Sequence, residues 1–200
     1  MPRARVPLHA RCMPGRVRGS LFVEYVRMLK ARKDVDWRQR LPPEDLPYLA
    51  QRIEPEAWYP MATFERLGLE ILELVADGDL EAVRAWGHIT VRALGTLHGD
   101  LVVEGDPRES VMRFHVMRRT LFDFEAATIL RLHDGEARLQ IGYGMSPAAE
   151  EAASYQTLGF FEGLLELAGA SDVRGGFAGR SWRGDDRTVI ALGWKQPRVR

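Results

Sequence analysis

The sequence predicts an α+β domain, with a helical N-terminal half packed on a four-stranded antiparallel sheet. Three observations carry this. Apolar residues recur at helical spacing up to about residue 125. At about residue 126 the period falls to two. Two alternating stretches, each folding back on itself, then flank one long helical run, a hairpin–helix–hairpin order that places an antiparallel sheet under helices. The 200 residues, 46% hydrophobic and 28% charged with zero net charge, fit a single globular domain. They exclude a disordered chain, a coiled-coil rod and, with no apolar run near ~18 residues, a transmembrane helix.

Residues 1–18 hold three prolines and five arginines without periodicity and read as a basic tail. The domain is expected at 19–195, followed by a short tail at 196–200. From Gly19, residues Leu21, Phe22, Tyr25, Val26 and Leu29 have helical spacing. Pro42-Pro43-Glu44-Asp45 opens a short helix expected to end near Ile53, with proline and acids in its first turn. Phe64, Leu67, Ile71, Leu74 and Val75 stripe the next helix, and Gly78 stops it. Asp79 caps a helix carrying Leu80, Val83, Trp86/Gly87, Thr90 and Leu94, and Asp106-Pro107 begins another with Val111, Phe114 and Leu121.

Around Asp134-Gly135 a hairpin is expected, pairing Leu132/Ala137, Leu130/Leu139, Thr128/Ile141 and Ala126/Tyr143. Ser146-Pro147 then caps a helix running to Gly169. Residues 173–182 and 187–194 form the second hairpin, with Thr188, Ile190, Leu192 and Trp194 on one face. Gly175-Gly176-Phe177-Ala178-Gly179 precedes a strand rather than opening a helix, so it reads as a bulge or bend and not a dinucleotide loop.

Catalytic signatures are missing. There is no GxxxxGKS/T, HExxH, GxSxG or CxxC. The histidines, His9, His88, His98, His115 and His133, lack ligand-pair spacing, so neither a metal nor another cofactor is expected. Cys12 cannot form an internal disulfide, which fits a reducing cytoplasm; its arginine-rich surroundings favour the thiolate. Residues 1–33 carry nine Lys/Arg and one acid, whereas 42–80 carry nine acids against Arg52 and Arg66. The basic arm has no zinc-finger spacing or aromatic strand beside it, so nucleic acid is not expected as its partner.

The helix 147–169 is the most informative segment. Gly159 and Gly163 lie one turn apart on one face, and an interior glycine costs about 1 kcal/mol relative to alanine. Close packing on the chain's own sheet is the simplest justification; a dimer face or a ligand-cavity wall are the others. Trp86, Phe114, Tyr155, Gly159, Phe160 and Gly163 are therefore the candidate cavity or interface residues.

Trp37, Leu41-Pro42, Asp45-Leu46, Trp58-Tyr59-Pro60-Met61, Phe64-Glu65-Arg66-Leu67-Gly68, Tyr155–Gly163, Gly184-Asp185 and Leu192-Gly193-Trp194 together resemble a paralogous family expanded in myxobacteria, which has no established activity to lend. The order of Arg66-Leu67-Gly68, hairpin, Phe160–Gly163 helix and final Gly-Asp turn also resembles the vinyl-reductase-type domains. Those are akin to TRAPP Bet3-like subunits and to the haem–nitric-oxide-binding domain. This resemblance implies a ligand cavity. The Tyr-x-Ser-x-Arg propionate clamp of the haem family is absent, so it does not imply haem.

The expectation is a noncatalytic sensory or interaction domain, homodimeric, binding a small apolar ligand or a protein partner and not a membrane. The alternatives are a ligand-free structural adaptor paired through helices 63–76 and 80–99, and an enzyme whose site has no recognisable motif.

Overall fold

The computed structural model describes residues 15–196. The expectations for Cys12 and His9, residues 1–14 of the basic tail and residues 197–200 of the C-terminal tail lie outside the described residues. Four strands, β3 (Ala127–His133), β4 (Glu136–Ile141), β5 (Ser171–Gly179) and β6 (Thr188–Lys195), form an antiparallel sheet in the order β3-β4-β6-β5. Thr188, Ile190, Leu192 and Trp194 are buried on one face of β6, as the alternation requires.

Helix α6 (Pro147–Leu167) lies on this face. It is buried on nearly every side, from Leu158 through Leu165 without a break, because it is a middle layer. Helix α4 (Leu80–Leu97) packs along its other side, and α3 (Met61–Leu74) and α5 (Pro107–Leu121) flank it. Helix α1 (Gly19–Ala31) closes the helical half against α3, and the short α2 (Leu46–Ala50) follows a turn. Phe22 is completely buried, stacked 4.5 Å from Tyr59 and edge-on to Tyr48 at 5.3 Å.

Several local expectations change. Arg16–Arg18 is not tail but strand β1, paired antiparallel with β2 (Trp58–Pro60), and Val17 between them is fully buried. Three residues carry no visible period, so only tertiary pairing defines this strand. The first hairpin keeps Leu132 opposite Ala137, but a bulge at Leu130 shifts the register beyond it. Ile129 faces Leu139, Thr128 faces Gln140 and Ala127 faces Ile141. The extra residue lets both Ile129 and Leu132 turn inward while Leu130 stays exposed.

Helix α2 is shorter than the span 42–53; Asp45 stands at its N-cap position, yet makes no side-chain cap bond there and turns to α3 instead. Its fully buried carboxylate accepts Thr63 Oγ1 at 2.7 Å and both Nε and Nη2 of Arg66. Ser146 occupies the N-cap position of α6, but its side chain makes no cap bond. By contrast Asp79 and Asp106 do cap α4 and α5, accepting the amides of Glu81 and Glu109.

Candidate functional site

The tightest interface in the molecule runs between α4 and α6, and glycines make it possible. A methyl group on Gly159 would lie 1.8 Å from the Arg84 carbonyl oxygen. One on Gly87 would lie 2.2 Å from the Gln156 carbonyl oxygen. Gly163 is looser, 2.9 Å from Val91 Cγ1 and 3.1 Å from His88 Cα. Backbone therefore meets backbone at Gly159 and Gly87. The glycines serve a helix–helix contact and not the expected contact with the sheet; the sheet meets α6 through Gly175, where a Cβ would reach Leu158 and Glu162.

This close approach brings opposite charges together. Arg84 Nε donates to Glu162 Oε2 at 2.8 Å, and Nη2 donates to the other carboxylate oxygen. Glu162 is 7% exposed on its side chain, so the bidentate pair compensates a charge that would otherwise be buried alone. The hydrogen bonds that Arg84 donates to Glu162 hold its guanidinium above its ordinary range. His88 sits beside them, its two ring nitrogens each 3.6 Å from a carboxylate oxygen, of Glu162 and of Glu166. These groups line a shallow groove of about 320 Å³ that is open to solvent. Neither motif reading nor apolar periodicity points to Arg84 or Glu162, and periodicity places Gly87 in the α4 stripe without showing what it meets. The available signal was a glycine inside the α4 stripe and one carboxylate inside the apolar run 158–165.

The other candidates separate into different places. Phe114 on α5 packs 4.7 Å from Phe160 and 5.0 Å from Phe161, ring centre to ring centre, and fills the space between α5 and α6. Tyr155 lies 5.1 Å from Phe177, over β5. Trp86 lines a small enclosed space together with Tyr25, Phe64, Ile71, Met145 and Gln156. Gly159, Phe160 and Gly163 share the α4–α6–α5 contact, but the six residues do not surround one chamber.

That enclosed space is about 30 Å³, enough for one or two waters, whereas ligand pockets run to roughly 300–1,000 Å³. A broader depression of about 450 Å³, between His98, Leu101 and the exposed side of α5, is open to solvent. Among the described residues no group of three or more His, Cys, Asp or Glu could hold a metal ion. No helix among them is long and apolar enough to cross a membrane.

Helix α4 also presents a second, outward apolar face. Ala85, Ile89, Ala93 and Leu97 follow one another at intervals of four, all exposed, with Ile89 at 65% and Leu97 at 66%. Met112 and Val116 add exposed apolar area on α5. Side chains of this size are rarely left so open in a row.

No family model matches the chain, and no curated protein matches it. The myxobacterial resemblance therefore gains no support. Solved structures do match. An H-NOX protein from S. oneidensis in the Fe(II)NO ligation state superposes with TM-score 0.63 at 12% identity, over 90% of this chain and 99% of that one. An unliganded Fe(II) H-NOX mutant from K. algicida gives 0.64 at 12% identity, over 90% and 97%. A T. Tengcongensis H-NOX mutant gives 0.56 at 12%, over 91% and 100%. These likenesses fall in the haem–nitric-oxide-binding branch of the expected resemblance.

The residues present do not fit haem. The enclosed space is an order of magnitude too small and no histidine or cysteine lines it, while His98 lines only the open hollow beside the exposed side of α5. Phe114, Phe160 and Phe161 occupy the volume between α5 and α6. At this level of identity the comparison establishes architecture alone: the chain has the α+β fold of an H-NOX domain.

Proposed function

We propose that the chain is a noncatalytic interaction domain of sensory type that carries no haem and pairs with a second copy of itself through the outward face of α4. The observation that carries this reading is the exposed row Ala85, Ile89, Ala93, Leu97 beside an interior already filled by its own side chains. An isologous interface must be self-complementary. A row at intervals of four is one of the ridges along which helices pack, and here small and large residues alternate along it. An antiparallel two-fold crossing midway between Ile89 and Ala93 sets each Ile89 opposite an Ala93 and each Leu97 opposite an Ala85. Every large side chain then meets a small one.

The noncatalytic part is supported by what the charged side chains in the interior do. Arg84, Glu162 and Asp45 are committed to ion pairs that hold helices together. The sensory part rests on the fold likeness to proteins described in Fe(II) and NO ligation states.

Sedimentation velocity over a concentration series tests the proposal. The expected result is a dimer that Ile89→Asp and Leu97→Asp convert to a monomer with an unchanged circular dichroism spectrum. A wild-type chain that stays monomeric at the highest concentration removes the second copy from the proposal.

A further inference from the structure

Independently of how α4 is used, the junction between β4 and α6 is held in an unusual way. Residues 142–146 lead from the sheet into the central helix, and their amides are bound mainly by two carboxylates. Glu150 reaches back from the first turns of α6 and accepts the Tyr143 N–H at 2.9 Å and the Met145 N–H at 3.1 Å. Glu65, from α3, accepts the Ser146 N–H at 2.8 Å. They hold the amides that lead into the helix, and the Ser146 side chain makes no cap bond.

Glu150 is 6% exposed, and among the described residues no basic side chain forms an ion pair with it or with Glu65. The charged and titratable groups that face this junction are few. From α3 come Glu65 and Arg66, whose guanidinium is bonded to Asp45. The junction itself contributes Tyr143, whose hydroxyl pairs with Thr157 at 2.6 Å. On α6, Glu151 turns toward Arg183, and Tyr25 of α1 is bonded to Gln156. Among the described residues no cation is paired with Glu150.

We propose that Glu65 and Glu150 form a proton-sensitive latch that sets how tightly the β4–α6 junction grips the N-terminus of the central helix. With both groups ionised, three amides are held by charge-assisted bonds. A proton on Glu150 subtracts an acceptor and adds a donor. The protonated oxygen is a far weaker acceptor, so its amide bond loosens while its O–H turns toward an acceptor, and Glu65, bonded to the neighbouring Ser146 amide, is the carboxylate on that stretch. Burial, reinforced by the Glu65 charge, pushes Glu150 above the usual carboxylate range. The sign follows from linkage. A group whose folded value is raised binds its proton more tightly in the folded chain, so it contributes stability at low pH that is lost as pH rises through the folded value.

NMR of the full chain tests the latch, following the Glu150 carboxyl carbon and the amides of Tyr143, Met145 and Ser146 through an acid titration. The expected result is that all three amides shift with the Glu150 midpoint, and that the midpoint moves down in Glu65→Gln. Glu65 is partly exposed, so this variant keeps the test valid should Glu150→Gln fail to fold. Two outcomes overturn the proposal: a Glu150 midpoint that is indifferent to Glu65→Gln, or amides that do not follow it.

Discussion

Replacing Gly159 with alanine tests the central helix contact most directly. In an isolated helix the change should help, by about 1 kcal/mol. Here the new methyl would sit 1.8 Å from the Arg84 carbonyl oxygen, and ordinary contact begins at 3.4 Å. Helix α4 would have to retreat by about 1.6 Å, and a backbone obstacle cannot rotate away as a side chain can. Overpacking of this kind typically costs 1–3 kcal/mol. The retreat also loosens the Arg84–Glu162 pair, which neutralises a nearly buried carboxylate. The expected net loss is therefore about 3 kcal/mol, at the top of the overpacking range even after the helix gain. Urea unfolding followed by circular dichroism gives the value from the midpoint and slope. Two comparisons give the number meaning. Gly163→Ala meets mainly the Val91 and His88 side chains and should cost less than Gly159→Ala. Gly99→Ala meets nothing within 4 Å at an unexceptional φ and should be neutral or stabilising by about 0.4–1 kcal/mol. A Gly159→Ala chain as stable as the wild type would refute the close backbone approach of α4 and α6.

Other perturbations probe separate parts of the argument. Arg84→Met leaves the Glu162 carboxylate without its cation and should cost about 2–3 kcal/mol, below the usual buried-pair penalty because Arg84 is 29% exposed. Adding Glu162→Leu should recover much of that loss, and additive unfolding energies would argue against the pairing. Val17→Ala should cost about 1–3 kcal/mol, since Val17 is fully buried in strand β1; a neutral result would return residues 16–18 to the tail. Haemin mixed with the purified chain and then desalted should leave no stoichiometric Soret absorbance, and a one-to-one complex would contradict the filled interior.

Local sequence patterns suffice for the fold class, the helices α1 and α3 to α6 and the two hairpins. These are elements whose periodicity is long enough to be counted and whose ends carry local signals. Asp79 and Asp106 cap α4 and α5 because an N-cap bond spans only two or three residues. The glycine pair at 159 and 163 was legible as a place of close approach, since interior glycines are unfavourable without one. Tertiary structure decided what they approach. The partner of Gly159 is the Arg84 backbone, 75 residues away in sequence, and no local pattern encodes that choice. The same holds for β1, three residues made a strand by Trp58–Pro60, and for Asp45, whose carboxylate Arg66 holds away from the cap of α2. It holds for the bulge at Leu130, which appears only because both Ile129 and Leu132 must reach one core face. The interior shows the limit most clearly. Phe114, Phe160 and Phe161 read equally well from sequence as cavity wall or as filling, because their apolar spacing is the same in both. Only their ring-to-ring packing in three dimensions shows that the space is taken.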